Sequence, residues 1–158
     1  VLRFVYTANG KLNSDNISQV ISLLVKLGLN NLKDICKSYL VDCCNIENAV
    51  FHYSIALNNK MFEVAQILFN IIADNFLAVS NTTQFLYLSC ERLLPFIKCT
   101  HLNVKTEMDV FMAVVNWINF DQANRLSSAK KLMADVHFEV WLFVFVNLKL
   151  IISNIYNI

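Results

Sequence analysis

From Asn13 onward, apolar side chains recur with the period of a helix rather than that of a strand. Ile17, Val20, Ile21 and Leu24 fall at i, i+3, i+4 and i+7, so a single helix face carries all of them. Asn13, Ser14 and Asp15 precede this stripe with side-chain oxygens that can accept the first free backbone N–H groups. Gly28 follows it, where the chain can turn into the left-handed region without a Cβ clash. A second stripe, Leu32, Ile35, Cys36, Tyr39 and Leu40, predicts another short amphipathic helix after a tight turn. Asn45 predicts the cap of a third, with Ala49, Val50, Tyr53 and Ala56 inward. A fourth is expected from about Met61 to Phe76, burying Val64, Ile67, Leu68, Ile71 and Ile72. A shorter piece holds Phe85, Leu86 and Leu88. Ser89 caps the next helix, whose course Pro95 disturbs, because proline lacks an N–H and crowds the preceding turn. Thr106 opens the clearest stripe, Val110, Ala113, Val114, Trp117 and Ile118, and a last helix is expected from about Ser127 to Val136. No alternating pattern of strand length follows Lys11, so the prediction is an all-α fold.

Composition narrows the picture. Gly 2 and Pro 1 in 158 residues leave too few tight turns for a sandwich or barrel. A chain that is 56% hydrophobic and 16% charged is not disordered and can bury a sizeable core. Its length suits one compact domain, or one domain with a fragment of another. The formal net charge is +1 and the densest basic run is Lys130-Lys131, so there is no stripe for nucleic acid and no pull toward an anionic membrane.

Cysteine usage and the two ends add further expectations. Cys36, Cys43, Cys44, Cys90 and Cys99 are odd in number and lack a disulfide-like rhythm, which points to a reducing, intracellular compartment, cytoplasmic or nuclear. The chain opens on Val1-Leu2-Arg3-Phe4, without an initiator Met or a leader pattern, and is expected to be a fragment of something longer. Residues 138–158 depart from the helical pattern. Their apolar run, Val140-Trp141-Leu142-Phe143-Val144-Phe145-Val146, is broken by Asn147 and Lys149. A spanning helix wants about 20 predominantly apolar residues, and a central Lys costs about 2.5–3.5 kcal/mol, which disfavours a membrane role. No repeat of fixed period recurs.

Candidate chemistry is sparse. Cys99-Thr100-His101 is the only close Cys/His pair, and zinc needs four tetrahedral ligands. His52 and His137 stand alone on apolar stretches and read as core residues, and the vicinal pair Cys43-Cys44 reads as packing. Neither a G-x-S-x-G elbow nor a P-loop is present. Cys90 lies near a helix N-terminus, which lowers a thiol pKa, but no His stands in a readable relation to it. Glu107 and Asp109 in a first helical turn complement the dipole. Asp121 and Arg125 are spaced to pair along one helix beside a buried Trp117, at about 0.2–0.5 kcal/mol if exposed. The residues therefore predict no enzyme, no cofactor and no metal.

Two stretches resemble a known family. Leu2-Arg3-Phe4-Val5-Tyr6-Thr7 and the two helices ending near Leu40 are similar to the last part of a BTB (POZ) domain, with Leu27-Gly28-Leu29-Asn30-Asn31-Leu32-Lys33-Asp34-Ile35-Cys36 matching its L-G-L-x-x-L-K-D-x-C pattern. The continuation resembles the BACK domain of Kelch-like proteins. The matching runs are Asn45-Ile46-Glu47-Asn48-Ala49 through Tyr53, Phe85-Leu86-Tyr87-Leu88-Ser89, Leu102-Asn103-Val104, and Val110 through Trp117, closing on Asp121 and Asn124-Arg125. The resemblance runs over residues 2 to 137 and implies a BTB remnant at 1–42, a BACK helical-pair bundle at 43–137 with its 3-box at 45–76, and an atypical tail at 138–158.

That resemblance also implies a function: a non-catalytic substrate adaptor of a cullin-3 RING ubiquitin ligase. Such an adaptor dimerises through a complete BTB domain and holds substrate on a Kelch propeller that this chain does not contain. A BTB–BACK scaffold without ligase function, transcriptional or cytoskeletal, is the alternative. Tyr6, Leu32, His52 and Tyr53 are the residues expected on the cullin-facing side. The two tyrosines suit an interface because an aromatic ring buries large area while keeping a polar tip, and ordinary core packing is their alternative role. Several positions depart from the family pattern. Ala8-Asn9 displace the glycine after Tyr-Thr, Tyr53-Ser54-Ile55-Ala56-Leu57-Asn58 lacks the acid of the family's Y-x-x-A-D, Pro95 is expected to break a helix, and the R-L-P-L-L ending is missing after Phe138.

Overall fold

The side-chain pattern resolves into helices throughout residues 12–133, the part that the computed structural model describes, and no strand occurs among them. The order is α1 (Ile17–Lys26), α2 (Asn30–Asp42), α3 (Ala49–Asn58), α4 (Phe62–Asp74), α5 (Phe76–Ser80), α6 (Thr83–Leu86), α7 (Cys90–Ile97), α8 (Glu107–Phe120) and α9 (Gln122–Met133). The chain divides into two compact units at Ile72/Ala73.

In the first unit the α1 stripe of Ile17, Val20, Ile21 and Leu24 is buried as its spacing predicts, and α2 packs against α1 through Cys36 and Leu40. Two Asn-x-x-Asn pairs set the helix starts. Asn13 Oδ1 accepts from the Asn16 N–H at 2.9 Å while Asn16 Oδ1 accepts from the Asn13 N–H at 3.0 Å. Asn45 and Asn48 repeat the exchange at 3.1 and 2.7 Å, and Asn48 Nδ2 also donates to the Cys43 carbonyl. Each pair works as a capping box with amides on both sides, satisfying donors that a helix start leaves open.

Two helix ends share one geometry and differ in residue. After α1, the Gly28 N–H donates to Val25 and the Leu29 N–H to Leu24. After α3, the Lys60 N–H donates to Leu57 and the Met61 N–H to Ala56. Both are Schellman closures with a left-handed residue just past the cap. Gly28 takes φ 68° without strain, whereas Lys60 takes φ 57° with a side chain attached. A Cβ at Gly28 would meet nothing within 4 Å, so the strain at either site is a property of the backbone alone. Gly28→Ala should therefore destabilise the chain by about 1 kcal/mol and Lys60→Gly should stabilise it by a similar amount. Urea melts of the two variants check both signs.

The second unit is built around α8, which packs on α5, α6 and α9, while α9 also packs on α7. Thr106 and Asp109 close a capping box at the start of α8, with Asp109 Oδ2 accepting from the Thr106 N–H at 3.0 Å. Val110, Ala113, Val114, Trp117 and Ile118 are buried, as their spacing predicts. Phe76 and Phe85 meet edge to face at 5.8 Å, and Phe96 and Leu93 on α7 are fully buried. Asn103 caps the end of α4: its N–H donates to the Ala73 carbonyl at 3.0 Å and its Nδ2 to the Asp74 carbonyl at 2.9 Å.

Four expectations need correction. Ile35 and Ile67, predicted inward, are close to half exposed. The buried line of α2 runs through Cys36 and Leu40, and that of α4 through Val64, Ala65, Leu68, Ile72 and Ala73, so each isoleucine lies about 100° off its stripe. The fourth helix does not run on to Phe76: it ends at Asp74, and Asn75 becomes the N-cap of α5. Pro95 does not interrupt α7, which continues through it to a Lys98 N–H bond with Leu94 at 3.1 Å. Pro95 and Glu91 both lie on the exposed face, where solvent replaces the bond lost between them. The last helix begins at Gln122 rather than Ser127, because the Asp121 carbonyl starts it by accepting from Asn124 and Arg125.

Candidate partner-binding surface

Three of the four residues expected at an interface fall among the described residues; Tyr6 lies outside them. His52, on α3, is fully buried, and its Nδ1 lies 2.9 Å from the Leu40 carbonyl. At the end of α2 the carbonyls of Tyr39 and Val41 accept from the Cys43 and Cys44 N–H groups, so the imidazole supplies the donor that Leu40 would otherwise lack. That arrangement requires the proton on Nδ1 and leaves Nε2 bare, and Nε2 is buried without a hydrogen-bond partner among the described residues. The rings of Tyr39 and Phe51 stand about 6 Å away. Burial pushes the His52 pKa below the usual histidine range, and the Leu40 carbonyl offsets this in part.

Tyr53 is almost fully buried and packs on Phe69 of α4 at 6.3 Å, so it holds α3 to α4 within the unit. Leu32, near the start of α2, keeps partial exposure. The residues expected at an interface thus divide between a scaffold, His52 and Tyr53, and a surface, Leu32.

The first unit also carries side chains that the periodic pattern does not mark. A half-open cavity of about 640 Å³ lies between the first half of α2 and the α3–α4 turn, lined by Lys33, Asp34, Lys37, Lys60, Phe62 and Glu63 among others. Phe62, the first residue of α4, is 66% exposed. It falls off the apolar stripe, which is the one signal in the sequence that marks it. Asp34 accepts from Lys37 Nζ at 2.8 Å, and Asp34 and Glu63 together raise the Lys37 pKa.

Thiol chemistry finds no support in these positions. Burial pushes the Cys36 thiol up to about 11 and also raises Cys44, away from the thiolate form. Among the described residues no three His, Cys, Asp or Glu side chains converge as a metal site would require. In the second unit Trp117 is 2% exposed and donates from Nε1 to the Leu88 carbonyl at 2.8 Å. The expected Asp121–Arg125 pair does not form. Asp121 instead accepts from Asn124 Nδ2, and Arg125 turns back to bond the Trp117 carbonyl at 2.7 Å with its guanidinium 4.1 Å from the indole centroid. A guanidinium stacked on an aromatic face gains both cation–π attraction and packing, which outbids an exposed ion pair.

The helix order and these contacts can be set beside known proteins. The family model described as BACK, BTB And C-terminal Kelch, matches residues 49–145. The chain belongs to the BACK family. Its match begins at Ala49, the first residue of α3, so α3 to α9 all fall within the BACK region. The BACK chain is similar to Kelch-like protein 9 of Mus musculus, 31% identical over 138 residues that make 87% of this chain and 22% of that one. It is also similar to Kelch-like protein 13 of Homo sapiens, 30% identical over 87% of this chain and 21% of the relative. Gigaxonin of Homo sapiens is 32% identical over 85% of this chain and 22% of the relative. The BACK chain therefore spans about a fifth of the length of these curated relatives. Membership agrees with the likeness that the motifs carry and with the all-α fold. Among the described residues no helix is long and apolar enough to cross a membrane, and the apolar run 140–146 lies outside them.

Proposed function

We propose that this BACK chain is the BTB–BACK part of a Kelch-like substrate adaptor, joining a cullin-3 RING ubiquitin ligase to the protein it modifies. Residues 1–42 close the BTB/POZ domain, residues 43–137 form the BACK bundle, and residues 45–76 supply the 3-box that faces cullin-3. The observation that carries this reading is membership of the BACK family together with relatives named Kelch-like at about 30% identity over most of the chain. The part played here is mechanical rather than chemical. Buried helical stripes give rigid spacing, and a ligase adaptor needs spacing and surface, not a nucleophile.

In this reading Leu32 and Tyr6 meet the partner, while His52 and Tyr53 hold α3 in place. A complete BTB domain supplies homodimerisation, and a module beyond this chain holds the substrate. The adaptor works in the cytoplasm or nucleus, with no nucleic acid, membrane or cofactor required. A pull-down of the longer natural product with cullin-3 tests it. The full product should capture cullin-3. The present chain alone should bind weakly, since stable complexes bury about 1,200–2,000 Å² and the 3-box is only part of such a face. A full-length product that ignores cullin-3 would overturn the ligase reading in favour of a scaffold without ligase function.

A further inference from the structure

We propose that the cavity beside the α3–α4 turn is a docking site for an acidic segment of a partner protein, its carboxylates set against Lys33 and Lys60 and an apolar side chain covering Phe62. This goes beyond the adaptor reading, because it depends on the chemistry of the cavity and not on which ligase the chain serves. At about 640 Å³ the cavity is of the size that takes a ligand or a few side chains of a peptide.

Charge selects the occupant. Lys33 and Lys37 reach the rim from α2 and Lys60 reaches it from the α3–α4 turn, so cations converge from two separate elements. Of the two carboxylates on the lining, Asp34 is already bound to one of these cations. Asp34 bonds Lys37, and Glu63 acts on the same ammonium. Among the described residues neither Lys33 nor Lys60 has an ion-pair partner, so both remain available to an incoming carboxylate. Phe62 supplies the apolar contact: a ring 66% exposed on a cavity wall is the kind of anchor around which interfaces concentrate their binding energy.

The backbone at the cavity rim is unusual as well. Lys60 holds the left-handed conformation at the close of α3, where glycine would fit without strain and does so after α1. Strained non-glycine positions gather where a side chain is needed for something other than the fold. At this one the side chain is a cation on the rim of a cavity.

Fluorescence polarisation with the full 158-residue chain tests the proposal. The probe is a short fluorescein-labelled peptide of alternating Asp and Leu, compared with the same peptide carrying Lys in place of Asp. The acidic peptide should bind, more weakly as salt rises, and the basic one should not. Lys60→Glu should weaken binding on the order of tenfold through like-charge repulsion. Phe62→Ala should weaken it about fivefold. Lys60→Gly is the decisive variant, because it should raise the stability of the chain while lowering its affinity, and loss of fold cannot produce that combination. Any of four results would overturn the site: no binding of the acidic peptide, equal binding of the basic one, full affinity in Lys60→Gly and Phe62→Ala, or displacement of the acidic peptide by a short RNA.

Discussion

Replacing Trp117 with alanine should cost the chain about 3–5 kcal/mol, the usual loss when a large buried aromatic side chain is emptied from a core. Three features of the site support the upper half of that range. The indole is 2% exposed, it donates the Nε1 proton to the Leu88 carbonyl at 2.8 Å, and its face carries the Arg125 guanidinium at 4.1 Å. Alanine removes the packing, leaves the Leu88 carbonyl without its donor and takes away the surface on which Arg125 lies. Against a total stability of about 5–15 kcal/mol, such a loss leaves part of the population unfolded at ordinary temperature. Trp117→Phe separates the contributions. The ring under Arg125 survives while the N–H does not, so its cost should fall to about 1–3 kcal/mol, the range for one unsatisfied buried carbonyl. Urea unfolding followed by helical circular dichroism measures both. A Trp117→Ala protein that unfolds at the wild-type midpoint would remove Trp117 from the core and leave α8 anchored by its aliphatic residues alone.

The legible part of this fold is the part governed by local rules. Residues 17, 20, 21 and 24 lie on one face whatever else the chain does, and all four are buried. The same holds for the α8 stripe and for the Asn and Thr caps, since a cap depends only on residues three or four positions away. What the pattern could not show was set by neighbours distant in sequence. Ile67 is as apolar as Leu68, yet α4 turns its Ala65 and Ala73 edge inward and leaves Ile67 in solvent. Periodicity that weights large side chains overlooks alanine, although a small residue lets a helix approach closely and so decides which edge is buried. The start of α9 was hidden for a related reason: Gln122, Ala123 and Asn124 carry no apolar stripe, and the Asp121 carbonyl that begins the helix leaves no mark in the sequence.

The candidate surface was legible only as a region. The resemblance directed attention to α2 and α3, where Leu32 keeps partial exposure while His52 and Tyr53 are buried. Aromatic character alone, however, does not tell a tyrosine that packs on Phe69 from one that meets a partner, and Tyr53 is the former within this unit. Phe62 was invisible to a search for stripes because an exposed aromatic ring is one that breaks the stripe. Arg125 illustrates the limit of charge spacing. Asp121 stands four positions away, but the better partner, the Trp117 ring, comes from the preceding helix. A spacing rule ranks the neighbours within one helix and is blind to those outside it.

The stability of the chain should fall with acidification below pH 6.5, and His52 is the residue that makes it do so. The unfolded chain titrates this imidazole near 6.5, while the folded chain holds its pKa lower because burial opposes the charge more than the Leu40 carbonyl favours it. The sign follows from proton counting. Above 6.5 the imidazole is neutral in both states and contributes no pH dependence. Below 6.5 the unfolded chain binds a proton that the folded chain refuses, so unfolding is favoured more at each step down, by up to about 1.4 kcal/mol per pH unit, until the folded pKa is reached. The structural cause is visible in the ring. Nδ1 is committed to the Leu40 carbonyl, and a proton on Nε2 would be buried with no acceptor among the described residues. His52→Asn is the matched control, because its side-chain amide can reach the same carbonyl from the position of Nδ1 and does not titrate. Melts of both proteins between pH 7.5 and 5, above the range in which most carboxylates protonate, should diverge as pH falls, the wild type losing stability faster. The difference between the two curves isolates His52, since His101 and His137 are common to both. Parallel curves would mean that the ring accepts its proton in place, and the cap on Leu40 would then have to be made by an imidazolium whose second N–H finds a partner of its own.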